Sequence, residues 1–160
     1  MNSSDVLNSA LQELNTLGVE IPQGRLTLDS YGDSPELERE LLELIKSGSK
    51  TASASLAWAY DAERREMPKP GDVAIVVNSQ GRPKLVTQIE SVELLPFSEV
   101  SSEHAALEGE GDKSLAYWRE THWQFFSREC ARIGKVASPE MPVVCARFKV
   151  MNVVSSSPAA

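Results

Sequence analysis

The stretch that decides the fold is Asp72–Leu95, DVAIVVNSQGRPKLVTQIESVELL. A run of valine, isoleucine and alanine from Asp72 to Asn78 is followed by Ser79-Gln80-Gly81, and then by a longer run from Pro83 to Leu95. β-branched side chains favour pleated backbone, and a small polar triplet with glycine favours chain reversal, so this stretch predicts a hairpin. Pro68, Pro70 and Gly71 break the chain before it. Working outward, Lys50–Ser55 is short, small and hydroxyl-rich and predicts a strand or sheet edge, while Pro142–Val153 is apolar enough for a central strand. Helical spacing surrounds these strands. Val6, Leu7, Ala10, Leu11, Leu14 and Leu17 form one stripe that starts near Ser4 or Asp5 and ends at Gly18. Ser34-Pro35-Glu36 combines a hydroxyl cap, proline at the first helical position and an acid in the first turn, and Leu37, Leu41, Leu44 and Ile45 follow on one face before Gly48. Residues 19–30 read as a connector, Leu56–Glu63 as a brief helix bearing Trp58 and Tyr60, and Ser98–Glu103 as another short helix. The longest helix is expected to open at Gly111-Asp112, with Asp112 as its cap, and to stop at Gly134. Strands at 50–55, 72–78, 84–95 and 142–153 among these helices predict an α+β fold around a small mixed or antiparallel barrel.

A chain of 160 residues is long enough to bury one substantial core without a metal or disulfide. Its 41% hydrophobic and 24% charged residues exclude a wholly disordered protein. No apolar run reaches the ~18–20 residues of a membrane span, and Met1–Asp5 lacks the basic start of a secretory signal. Two cysteines, Cys130 and Cys145, suit buried packing in a reduced, cytoplasmic protein. The net charge of −7 argues against binding by bulk positive charge, and so against double-stranded DNA. The charge is uneven: Glu93–Asp112 holds six acids and no base, whereas Trp118–Val150 holds six bases and three acids. Lys50, Arg64, Arg65, Lys69, Arg82 and Lys84 are candidates for a modest anion-binding surface with that basic third.

Two constellations carry possible chemistry. A desolvated lysine can take a proton from a hydroxyl nucleophile, which gives Lys50 and Ser53 a reading as base and nucleophile for amide hydrolysis. On a regular strand Lys50 and Ser53 point to opposite faces, so they cooperate only if the strand starts after Lys50 or bulges there. Glu108, Glu110 and Asp112 sit in the glycine-broken segment EGEGD, where carboxylates can work as acid or base or hold Mg²⁺ or Mn²⁺. Asp112 is expected to cap the helix instead. Along that helix Leu115, Trp118, His122, Phe125 or Phe126, and Glu129 recur at spacings of three and four. Phe125 and Phe126 are expected in the core, and Trp118 either there or stacked on a base. Arg119 is a candidate contact for a phosphate or carbonyl oxygen, and His122 for a proton-exchanging group. Trp58 and Tyr60 are candidates to hold a pyrimidine ring. With only His104 and His122 and no paired histidine motif, no zinc site is expected.

Several stretches together resemble the ASCH domain (activating signal cointegrator homology) in its longer bacterial form. They are Tyr31–Pro35, Gly48–Ser55, Glu108–Leu115, Trp118–His122, Phe125-Phe126, Pro142–Val144 and Phe148. On this resemblance residues 30–153 form the domain, 1–29 an N-terminal helix and connector, and 154–160 a flexible tail. The resemblance implies a PUA-like barrel flanked by helices and a cytoplasmic partner that is RNA or a modified nucleoside. One bacterial branch of the family hydrolyses N4-acylated cytidines without a cofactor through a lysine, a threonine three residues later and a distal glutamate. These fall on Lys50, Ser53 (serine for threonine) and Glu108, with Glu110 as rival. Thr51, Trp58, Tyr60, Glu110, Arg119 and His122 are then the expected ligand contacts. Other members are assigned a metal-assisted ribonuclease activity on single-stranded RNA, and eukaryotic relatives act as non-catalytic modules.

Overall fold

The computed structural model describes residues 2–155. In chain order the elements are α1 (Ser3–Thr16), β1 (Leu26–Asp29), α2 (Pro35–Lys46), β2 (Ala52–Leu56), α3 (Ala57–Ala62), β3 (Val73–Val77), β4 (Pro83–Pro96), α4 (Ser102–Glu108), α5 (Leu115–Arg132) and β5 (Pro142–Val153). A 3₁₀ turn, Phe97–Glu99, precedes α4. The strands form one mixed sheet in the order β1-β3-β4-β5-β2. β1 runs parallel to β3, with Leu26 opposite Val73, whereas β3 and β4 are antiparallel, with Ile75 opposite Val86. β2 is antiparallel to β5, with Ser53 opposite Ala146. The expected barrel is therefore observed as a five-stranded mixed sheet that ends on β1 and β2. The β3–β4 hairpin closes through Asn78, whose Oδ1 accepts from the backbone N–H groups of Gln80 and Arg82.

Over the described residues the chain is organised as two compact units, the first from residues 2–47, 70–90 and 148–155, the second from 48–69 and 91–147. In the first unit β3 is buried on both faces. Val73, Ile75 and Val77 pack with Ala10 and Leu14 of α1, and the alternate residues Ala74 and Val76 pack with Leu42 and Ile45 of α2. A strand covered on both sides reads as an unbroken apolar run, which is why VAIVV shows no alternation. β1 lies in the segment expected to be a connector; only four residues long and half exposed, it is held by pairing with β3. Asn2, rather than Ser4 or Asp5, caps α1 by accepting from the Asp5 N–H. Val154, expected in the tail, is buried with the α1 cluster, and its N–H donates to the Lys84 carbonyl. The rest of that tail, residues 156–160, lies outside the described residues.

The second unit packs Leu56, Phe97, Trp118, Phe126, Met141, Val143 and Cys145 into one core. Phe97 is its hub, with ring centroids 5.4 Å from Trp118 and 6.2 Å from Phe126. Phe126 is fully buried, but Phe125 is 40% exposed, contrary to expectation. Adjacent helical residues lie about 100° apart, so an 18-residue helix resting one face on the core buries one of the pair. Two helix boundaries also differ from the sequence reading. α4 runs over 102–108, capped by the Ser101 hydroxyl accepting from the His104 N–H and ended by left-handed Gly109. α5 is capped by Ser114, and Asp112 instead accepts from the Ser114 N–H at 2.9 Å.

Candidate functional site

Four elements of the second unit bring charged groups to one buried point. The segment before β2 supplies Lys50, tied to the end of α4 by the Thr51 N–H donating to the Leu107 carbonyl. Gly109 permits this approach, because a Cβ there would lie 2.1 Å from the Ser49 carbonyl oxygen. α4 supplies His104 and Glu108, four residues apart and so on one helix face. The turn after it supplies Glu110, and α5 supplies Trp118 and His122.

Lys50 is the hub. Its side chain is 3% exposed, and its ammonium donates to the Ala52 carbonyl at 3.0 Å, to Glu108 Oε1 at 3.3 Å and to Glu110 Oε2 at 3.0 Å. Glu108 is as deeply buried and is met from four directions. Oε1 faces Lys50 and His122 Nε2 (3.4 Å); Oε2 faces His104 Nε2 (2.8 Å) and receives the Trp118 indole N–H. A carboxylate offers about four lone-pair sites, so Glu108 is saturated. Burial alone would raise its pKa, but hydrogen bonds from His104 and His122, with the charges of Lys50 and His122, hold the carboxyl well below the usual range. Glu110 differs. Its side chain is 20% exposed, and Lys50 is the partner it meets in the cluster.

The other candidates fall into place around this centre. Ser53 is half-buried on β2 and shares no hydrogen bond with Lys50 among the described residues. Trp58 lies under Lys135 (5.7 Å), while Tyr60 lies under Arg65 (4.6 Å) and hydrogen-bonds the Ser55 hydroxyl at 2.9 Å. Trp118 is a core residue, not an edge-exposed stacking platform. Arg119 is exposed and donates to the Ser98 carbonyl, away from the cluster, whereas His122 is within it. Buried Lys50 is also withdrawn from any basic surface. His104 and Trp118 are the ligands of Glu108 that sequence reasoning missed. The available signal was the spacing His104–Glu108, obscured because α4 was expected four residues earlier. Asp112 is exposed and occupied by Ser114, so the three acids of EGEGD do not converge. Among the described residues no group of three or more His, Cys, Asp or Glu side chains is arranged to hold a metal ion.

These features sit within a recognisable relationship. The ASCH domain family model matches residues 27–152. An ASCH domain from Lactobacillus crispatus JV V101 is 35% identical over 92% of this chain and 89% of its own, with a TM-score of 0.74. A DUF984 protein from Enterococcus faecalis V583 is 30% identical over 93% of this chain and 90% of its own, with a TM-score of 0.75. No curated protein matches. With the family pattern spanning most of its length and two structures of that type superposing on it, the chain belongs to the ASCH domain family.

Proposed function

We propose that this protein recognises a nucleoside and hydrolyses an acyl amide on cytosine N4, with Ser53 as nucleophile and the Lys50–Glu110 pair moving its proton. One observation supports this above the others. β2 begins at Ala52, so Lys50 escapes the strand's alternation, and its ammonium reaches the carbonyl of the very peptide that joins Ala52 to Ser53. The start of β2 supports the pairing, because the alternation of faces applies only from Ala52 onward.

In this reading the roles divide by exposure. Glu108, filled by four donors, anchors Lys50 and has no free lone pair for a proton in transit. Glu110 is the carboxylate that exchanges. A proton passes from Lys50 to Glu110, and the freed lone pair takes the Ser53 hydroxyl proton as Oγ attacks the acyl carbon. The C–N4 bond breaks, Glu110 protonates the departing amine, and an acyl ester remains on Ser53. Water then repeats the sequence, Glu110 returning a proton to Ser53 as the carboxylic acid leaves. Each such transfer typically contributes about 10²–10⁴-fold. The metal-assisted ribonuclease has weaker support, because Glu108 and Glu110 are occupied by Lys50 and Asp112 by the Ser114 N–H.

The test is chromatographic, with N4-acetylcytidine, with and without EDTA, and with Ser53→Ala and Lys50→Ala beside the wild type. EDTA-insensitive release of cytidine that both variants abolish is the expected result. No release by a folded wild-type protein overturns the proposal, and the same samples with single-stranded RNA and Mn²⁺ then separate a nuclease from a binding module.

A further inference from the structure

Gly111 has no room for a side chain, and the reason is Tyr117. A Cβ on Gly111 would lie 2.5 to 2.6 Å from Cε1, Cζ and Cδ1 of the Tyr117 ring, so that ring rests against the bare backbone of the glycine. Gly111 directly follows Glu110, the partly exposed acid that meets Lys50. α5 sets two neighbouring rings apart here. Trp118 turns inward and gives its indole N–H to Glu108, while Tyr117, about 100° round the helix, stays at the rim and is 40% exposed. Among the described residues the Tyr117 hydroxyl makes no hydrogen bond, and its ring meets no other aromatic or cationic group. The other exposed aromatics of α5, Trp123 and Phe125, begin about 9 Å further along the helix axis.

We infer that Tyr117 is the platform on which the pyrimidine ring of a nucleoside stacks, holding the base by its face beside Glu110. The role that residue type suggested for Trp58, Tyr60 and Trp118 falls to Tyr117 because theirs are taken. Lys135 stands over Trp58, Arg65 over Tyr60, and Trp118 is buried with its N–H spent. An open aromatic face suits any base, so the ring supplies affinity and a neighbouring polar group must supply orientation. Cytosine carries a donor at N4, and the Glu110 carboxylate is an acceptor. A base stacked on Tyr117 therefore offers its N4–H to Glu110, the group that protonates the departing amine in the proposed hydrolysis.

The inference rests on the hydrolase reading for its choice of ligand, but its test reads binding and not turnover, so each can fail without the other. Cytidine is titrated into the full-length protein while the ring signals of its three tyrosines are followed by NMR. Expected is an upfield, saturable shift of the Tyr117 ring, with the Tyr31 and Tyr60 rings unmoved and no such shift when ribose replaces cytidine. Tyr117→Leu keeps an apolar side chain over Gly111 but removes the aromatic face, and should weaken cytidine binding by about 5- to 150-fold. Tyr117→Phe should bind within about twofold of wild type. A Tyr117 ring that stays still throughout the titration overturns the inference, and so does a folded Tyr117→Leu that binds as tightly as wild type. The first of these is read from the wild type, whether or not a variant folds. Hydrolysis of N4-acetylcytidine with a motionless Tyr117 ring would sink the platform and leave the hydrolase; a shifting ring without hydrolysis would do the opposite.

Discussion

Replacing Glu108 by glutamine takes one charge from a group that serves four donors, and the cost falls on Lys50. A buried ion whose partner is removed costs about 3–5 kcal/mol, and Glu110 relieves part of that. Glu108→Gln is therefore expected to lower stability by roughly 3 kcal/mol, read as a lower urea midpoint. The sign of the pH effect follows from the depressed carboxyl. The native state releases the Glu108 proton more readily than the unfolded chain, so its contribution is complete above the unfolded value of about 4.3 and is lost as pH falls through the native one. Wild type should lose stability on acidification below that point, with a shallower acid limb in the variant. Glu110→Gln should do the reverse, leaving the melting temperature within a few degrees while reducing N4-acetylcytidine hydrolysis by about 10²-fold or more. A stable, fully active variant would remove Glu110 from the mechanism. Cys145 gives an independent readout of the same interior. Burial, with the Glu108 and Glu93 charges, pushes its thiol up to about 12. Alkylation at neutral pH should reach Cys145 only on unfolding, and labelling of the native protein would mean that the core opens.

At the scale of elements, two short devices set the site, and each has its own test. Gly109 stands at φ +70° with no room for a Cβ against the Ser49 carbonyl. Gly109→Ala is expected to destabilise by more than the ~1 kcal/mol of an ordinary glycine change, since it combines left-handed strain with a backbone clash that pushes the Lys50 segment off α4. Ser114→Ala removes only a helix cap and should cost about 1 kcal/mol without altering chemistry. Comparing the two by denaturation and by hydrolysis separates the local from the site-wide effect. The same elements mark what the sequence makes legible. VAIVV and the β4 run announce strands because β-branched residues have few other uses in such density, and Ser34-Pro35 announces α2 because both residues favour that one position. β1 has no such signature. LTLD owes its conformation to pairing with Val73–Val76, forty-odd residues away, which no local pattern reports. The EGEGD segment misled for a related reason. Asp112 and Ser114 are both good caps, and the choice fell to Ser114 because the Asp112 side chain holds the Ser114 backbone N–H. Lys50, Glu108 and Glu110 were recognisable as candidates from residue type and family resemblance. The proposed division, with Glu108 as anchor and Glu110 as exchangeable acid, rests on burial, which spacing does not encode.

For the whole molecule, charge and connectivity matter most. A net charge of −7 opposes a polyanion, so any binding of single-stranded RNA should be weak and fall steeply with salt, while binding of an uncharged nucleoside should be nearly salt-independent. Titrations with both ligands at two salt concentrations check this, and a tight, salt-insensitive RNA complex would favour the binding-module alternative. No helix of the described residues is long and apolar enough to cross a membrane. Connectivity has a consequence in time. Lys50 is 58 residues upstream of Glu108 and 60 upstream of Glu110, with residues 70–90 of the other unit made in between. At about 5–20 residues per second a ribosome leaves that lysine without its counter-charges for several seconds. The buried charge cluster therefore waits for α4 and the turn after it to be made, and a product truncated before Glu108 would carry an uncompensated cation where the finished protein has a deeply buried one.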